Sequence, residues 1–150
     1  MKYFTLHRIA AYVAALGFCG HTFGGTLGTA RQGPQAGPDA DAVLASMRAV
    51  HFVWQGTETS WFDFWMGNAL GVSALMLLAI VVLWVLGGLA EDQRRTMLPV
   101  AWSLALTFVL LGANGFVYFG PIVGGAFSTI ALLTMIAATR WTRLMLVSTR

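Results

Sequence analysis

The sequence predicts an all-α membrane protein: a bundle of four transmembrane helices, both ends cytoplasmic, with an amphipathic helix in the outer loop. Three observations predict it. The 150 residues are 57% hydrophobic and only 10% charged, against about 25% charged residues in a soluble domain. The apolar residues gather in four stretches of about 20 residues, the length that crosses the hydrocarbon of a bilayer. The positive residues sit beside those stretches and not along them. Such a chain cannot cover itself with charge in water, so the lipid bilayer is its first expected partner. A single membrane domain accounts for the length.

The first span runs from about residue 9 to 28, the second from 61 to 89, the third from 99 to 118 and the fourth from 121 to 139. Pro99 and Pro121 stand where the third and fourth are expected to begin, a position that tolerates a missing N–H. Lys2 and Arg8 ahead of the first stretch give it the look of a signal peptide. The stretch is long for a signal and no small-x-small cleavage site follows, so it reads as a retained helix. Phe18 before Cys19 is too large for a lipoprotein cleavage site.

Lys and Arg orient the spans. Lys2, Arg8, Arg94, Arg95, Arg140, Arg143 and Arg150 fall on one side, and only Arg31 and Arg48 on the other. An even number of crossings with this bias gives N-in, C-in, in a cell (inner) membrane. Trp54, Trp61, Trp65 and Tyr118 are expected to mark the outer interface, and Tyr3, Trp102 and Trp141 the inner one.

Residues 29 to 60 form the one long connection. Thr29 to Pro38 is rich in Gly, Pro and Gln and reads as a flexible crossing. Asp39 is then placed to cap a helix from about Ala40 to Trp54, with Asp41 in its first turn. Val43, Met47, Val50 and Trp54 recur at helical spacing and are expected to face the bundle.

Each span also carries small residues at helical spacing. Ala10, Ala14, Gly17, His21, Gly25 and Gly28 share a narrow arc of the first, with Gly20, Gly24 and Gly28 at GxxxG spacing. Asp63, Gly67, Gly71 and Ala74 share one on the second. Small residues let helix backbones approach closely in lipid, so these faces are expected to point inward. Polar groups ride on them. His21 lies in the outer half of the first span, Asp63 opens the second, and Ser103, Thr107, Asn114 and Tyr118 form a stripe on the third. His51 and Glu58 in the outer loop are within reach of the same level, with Trp61 beside them at the interface. An intramembrane polar group is costly unless paired, and so marks a candidate site. The candidate ligand-binding residues are therefore His21, Asp63, Asn114, His51, Glu58, Trp61 and Tyr118.

A structural latch is the competing reading. Ser60 and Asp63 have the spacing of a capping box, and His21 can lock two helices through one hydrogen bond. No metal site is expected, because the His and Asp spacing is irregular and no HxxxH or CxxC pair exists. No cofactor is expected either: there is no nucleotide-binding loop, GxSxG nucleophile, or heme or iron–sulfur spacing. The single cysteine, Cys19, cannot form an internal disulfide. The net charge of +3 comes with no basic stripe, which argues against nucleic acid.

The runs His21-Thr22-Phe23-Gly24-Gly25, Met47-Arg48 to Phe52, and Ser60-Trp61-Phe62-Asp63-Phe64-Trp65-Met66-Gly67 resemble a family of uncharacterised small bacterial four-helix membrane proteins. Those share a histidine followed by glycines late in the first span and an aromatic-Asp-Phe-aromatic-x-Gly motif opening the second. The resemblance covers most of the chain and implies a four-helix fold with no established activity. A looser likeness is to bundles of the sterol-isomerase and sigma-two-receptor type, which hold an acid in a membrane pocket. This chain departs from them in lacking their membrane-embedded carboxylates, apart from Asp63.

Two functions follow as expectations. One is a non-enzymatic bundle that binds a lipid, quinone or other lipophilic molecule, or serves as accessory to a partner membrane subunit or a second copy. The other is an isomerase-like membrane enzyme with His21 and Asp63 as acid and base. An ion or solute pathway is disfavoured, because the middles of spans two to four carry no charge. In whole cells, a thiol reagent added outside is expected to label a cysteine placed at Gln35 and to spare one at Gln93. The reversed pattern would overturn the orientation.

Overall fold

The computed structural model describes residues 5–33 and 36–148, the side chains of 145, 147 and 148 apart. Lys2, Tyr3, Gln35 and Arg150, which entered the reading above, lie outside the described residues. The order of elements is α1 (Leu6–Cys19), a π-helical segment (Gly20–Gly28), α2 (Thr29–Gln32), α3 (Pro38–Ala49), β1 (His51–Trp54), β2 (Thr57–Ser60), α4 (Trp61–Leu86), α5 (Glu91–Tyr118) and α6 (Pro121–Ser148). Among the described residues, three helices are long and apolar enough to cross a membrane: Trp61–Leu86, Glu91–Tyr118 and Pro121–Leu144. Backbone contacts divide the chain into two compact units, Met1–Gly17 with Leu77–Arg150, and Phe18–Met76.

In the first unit, α5 and α6 form an antiparallel pair. Gly120, at φ 88°, takes the left-handed conformation that ends α5 and reverses the chain, and Pro121 opens α6 as expected. The seam is built of small residues. A Cβ at Gly115 would lie 2.8 Å from both Cα and N of Gly124, and one at Gly112 would lie 2.7 Å from Ser128 Oγ. The two backbones therefore all but touch. Ala101, Ala105, Phe108, Gly112 and Gly115 are the buried face of α5. Ala10, Ala11 and Ala14 of α1, Leu83 of α4, Phe108, Ile130 and Ala131 form the core. Threonines inside these helices satisfy themselves: the hydroxyls of Thr107, Thr134 and Thr142 each donate to the carbonyl four residues back, at 2.8–3.0 Å.

In the second unit, Thr22 and Thr26 of the π-helical segment are buried, and Thr22 Oγ1 donates to Ser73 Oγ of α4 at 2.9 Å. Phe52 stacks on Trp61 with centroids 4.5 Å apart, and Trp54 meets Phe64 edge-on at 5.7 Å. These rings pin the β1–β2 hairpin to the start of α4.

Several expectations are corrected. The outer helix stops at Ala49, and residues 51–60 are a hairpin, so the fold is helical with one small strand pair. The reason is local: Gln55 (φ 50°) and Gly56 (φ 83°) make a primed two-residue turn, and His-Phe-Val-Trp before it favours a strand. Gly37, not Asp39, stands at the N-cap of α3, followed by Pro38. That helix buries Leu44, while Val43, Val50 and Trp54 are exposed. Pro99 lies inside α5, which begins at Glu91, where Ala90 N–H donates to Gln93 Oε1. The helix expected as the second span ends at Leu86, and that expected as the fourth continues to Ser148. Trp141 is buried, with His7 packed on its ring and the Arg94 guanidinium over it.

The small faces are corrected too. Ala10 and Ala14 are buried as expected, but a Cβ at Gly20, Gly24, Gly67 or Gly71 would meet nothing within 4 Å. On α4 the face turned inward carries Ser73 and Met76, and position 69 differs from 67 and 71 by about 200° at 3.6 residues per turn. From residue 20 to 28 the backbone is π-helical, so an arc drawn at α-helical spacing no longer describes it. The stripe Ser103, Thr107, Asn114 and Tyr118 is exposed. Gly115→Ala is therefore expected to lower thermal stability in detergent by about 1–3 kcal/mol, because the added methyl meets backbone. Gly67→Leu is expected to leave the melting temperature of the delipidated protein unchanged, since the added side chain meets nothing. The opposite order in a melting assay would overturn both assignments.

Candidate functional site

The second unit holds the residues first singled out around the outer loop. Ser60 Oγ donates to Asp63 Oδ2 at 2.6 Å and accepts from Asp63 N–H at 3.1 Å. One half of the expected capping box is thus present, the Asp63 N–H to Ser60 Oγ bond, while the carboxylate accepts from the Ser60 hydroxyl instead of from its backbone N–H. His21 Nε2 lies 3.1 Å from the carbonyl oxygen of Ala69. A carbonyl can only accept, so Nε2 carries the hydrogen and the imidazole is spoken for on that side. Ala69 is six residues beyond Asp63, about 9 Å along α4 at 1.5 Å per residue. His21 and Asp63 thus hydrogen-bond at different levels to different partners. His51 is exposed, with Nδ1 donating to Ala49 O at 3.1 Å. Register pairs His51 with Ser60 and Val53 with Glu58, so His51 and Glu58 share the hairpin face opposite Phe52 and Trp54. Trp61 belongs to the aromatic cluster of Phe52, Trp54 and Phe64. Asn114 and Tyr118 belong to the other unit and are exposed there.

An open groove runs along the face of α4 that carries Gly67 and Gly71. It is lined by Asp63, Phe64, Gly67, Asn68, Gly71, Val72 and Leu75 and encloses about 660 Å³. Its floor is Gly67 and Gly71, its walls are apolar, and its polar end is Asp63 with Asn68.

The first unit assembles a second site that periodicity did not suggest. The start of α1, the end of α4, the start of α5 and the end of α6 converge on a cavity of about 310 Å³ lined by Thr5, His7, Arg94, Arg140 and Trp141, with Leu6, Leu86, Ala137 and Leu144 as apolar walls. Thr5 ties two of these ends together. Its Oγ1 accepts from Arg8 N–H and donates to Gly87 O at 3.2 Å. Gly87 is needed there, since a Cβ would lie 2.7 Å from that hydroxyl oxygen and 2.5 Å from Arg8 Cγ. His7 is 2% exposed, and its ring packs on Trp141 at 4.7 Å. The Arg94 guanidinium lies over the same indole at 5.7 Å. Among the described residues, neither His7 Nε2 nor Arg94 Nε, both buried, has a hydrogen-bond partner. His7 stands ahead of the apolar stretch. Burial pushes its imidazole down to about 4, and the Arg94 charge adds to the effect. It is therefore neutral at pH 7.

Among the described residues no three metal-ligating side chains gather. No family model, curated protein or solved structure matches the chain.

The available signal for this cavity was weak. Arg94 and Arg140 read as topology markers, and His7 carried no reading at all. Arg140 is as exposed as Arg95 and Arg143, and only its convergence with Arg94 and His7 on one cavity distinguishes it. With separate partners, His21→Ala and Asp63→Ala are expected to be additive in thermal stability, to within about 0.5 kcal/mol. A double-mutant cycle with larger coupling would place the two in one network.

Proposed function

We propose that the chain is a non-enzymatic, multi-pass inner-membrane bundle that holds a lipophilic ligand against the outer half of α4. The groove from Asp63 to Leu75 carries the reading. Its glycine floor has no side chain within 4 Å, its walls are Phe64, Val72 and Leu75, and a carboxylate and an amide stand at one end. That combination suits an acyl chain or isoprenoid quinone with a small polar head.

The fold proposed is four crossings with both ends inside. Unbroken helical backbone from Leu6 to Gln32 supports a first crossing over about residues 9–28. Convergence of the starts of α1 and α5 with the ends of α4 and α6 supports an even number of crossings, and the arginines at that end support its inside placement. The resemblance to the uncharacterised bacterial family belongs to this proposal, since its two motifs frame the groove and the π-helical segment. The isomerase-like reading has less support, because Ser60 and the Ala69 carbonyl already engage Asp63 and His21.

A second reading is favoured by one observation: Gly67 and Gly71 lie four residues apart on an open face, the spacing at which a second transmembrane helix docks. The occupant would then be a partner subunit or second copy. Mass spectrometry of the detergent-extracted protein, with light scattering for its mass, separates them. A lipophilic molecule is expected in the wild type and lost in Gly67→Leu without a change in protein mass. No bound molecule in the wild type would overturn the ligand reading, and an assembly that Gly67→Leu breaks would establish the helix reading in its place.

A further inference from the structure

We propose that the cavity at the inner ends of α1, α4, α5 and α6 binds the phosphate group of an acidic membrane lipid. The site is separate from the groove on α4 and does not depend on that reading.

Charge is the first reason. Two guanidiniums from different helices, Arg94 and Arg140, line one cavity, and among the described residues no carboxylate is paired with either. A cation with a buried, unpartnered N–H is costly, and an anion offsets that cost. The positive-inside rule accounts for Arg95 and Arg143, which are exposed. It does not account for Arg94, whose Nε is buried and whose guanidinium is held over Trp141.

Shape is the second. A cavity of about 310 Å³ suits a headgroup phosphate and its nearest carbons. Guanidinium forks match phosphate oxygens from two directions. Neutral His7, 98% buried by its 2% exposure, brings a ring nitrogen that the fold leaves unpartnered. Thr5 is not a ligand in this scheme, since its hydroxyl proton goes to Gly87 O. The remaining walls, Leu6, Leu86, Ala137 and Leu144, are apolar and fit the glycerol and first methylenes of a lipid better than a free ion. Basic pockets between transmembrane helices at the cytoplasmic interface take anionic headgroups in this way.

The test is native mass spectrometry of the full chain in neutral detergent at pH 7. Phosphatidylglycerol, phosphatidylcholine and inorganic phosphate are titrated separately at matched ionic strength. Phosphatidylglycerol is expected to bind about tenfold more tightly than phosphatidylcholine, and Arg94→Gln and Arg140→Gln each to weaken it about tenfold, the scale of one lost charge-assisted hydrogen bond. Arg143→Gln, outside the cavity, is expected to change nothing. Inorganic phosphate binding with the same arginine dependence would uphold the phosphate site and assign it to a soluble source. Should Arg94→Gln unfold, Arg94→Lys, which keeps the charge, and the exposed Arg140→Gln decide. Phosphatidylglycerol binding that Arg140→Gln leaves intact, or that Arg143→Gln weakens equally, would overturn the proposal.

Discussion

Inside a bilayer no water drives apolar faces together, and helices associate where their backbones come close enough for dense van der Waals packing. In this chain that condition is met at the α5–α6 seam, where Gly115 faces Gly124 and Gly112 faces Ser128. Alanines 101, 105, 131 and 138 line the same two helices and are buried. The seam sets the register of two helices that run in opposite directions. Because of that register, Arg94 near the start of α5 and Arg140 and Trp141 near the end of α6 reach one level. Thr5 and Gly87 bring the start of α1 and the end of α4 to the same place. The cavity lined by Arg94, Arg140 and His7 is a consequence of this packing.

Lipid also makes every polar group account for its hydrogen bonds. Most of the polar side chains here do so locally. Threonine hydroxyls bond back to the preceding turn, Ser60 and Asp63 bond each other, Ser73 and His21 share the Ala69 carbonyl, and Asn68 donates to Phe64 O. A polar residue in a span is therefore weak evidence of a site in this protein. A buried polar atom left without a partner is stronger evidence, and His7 and Arg94 supply such atoms in one cavity.

The glycine-rich end of the first span shows the limit of periodic reasoning. Gly20, Gly24, Gly25 and Gly28 sit at spacings that suit an α-helical contact face, yet the backbone there is π-helical. Glycine restrains the backbone little, so such a stretch adopts whichever helix the surrounding contacts favour. Here those contacts are the hydrogen bonds of Thr22 to Ser73 and of His21 to Ala69. Widened turns of this type are often found at functional sites.

Sequence alone determined the apolar segments, the charge bias, the start of α6 at Pro121 and the Ser60–Asp63 cap. Each of these depends on composition or on neighbours within a turn, and so is local. It misjudged the end of the outer helix, because a Gln at positive φ beside Gly56 carries little signal before the hairpin is seen. It also turned α4 and α5 the wrong way round. Helices that are apolar on every side show no stripe to separate a lipid-facing surface from a helix-facing one. Tertiary structure alone decided those faces, and with them the open groove on α4 and the meeting of Arg94, Arg140 and His7. Their sequence separation is long, and only backbone packing brings such residues together.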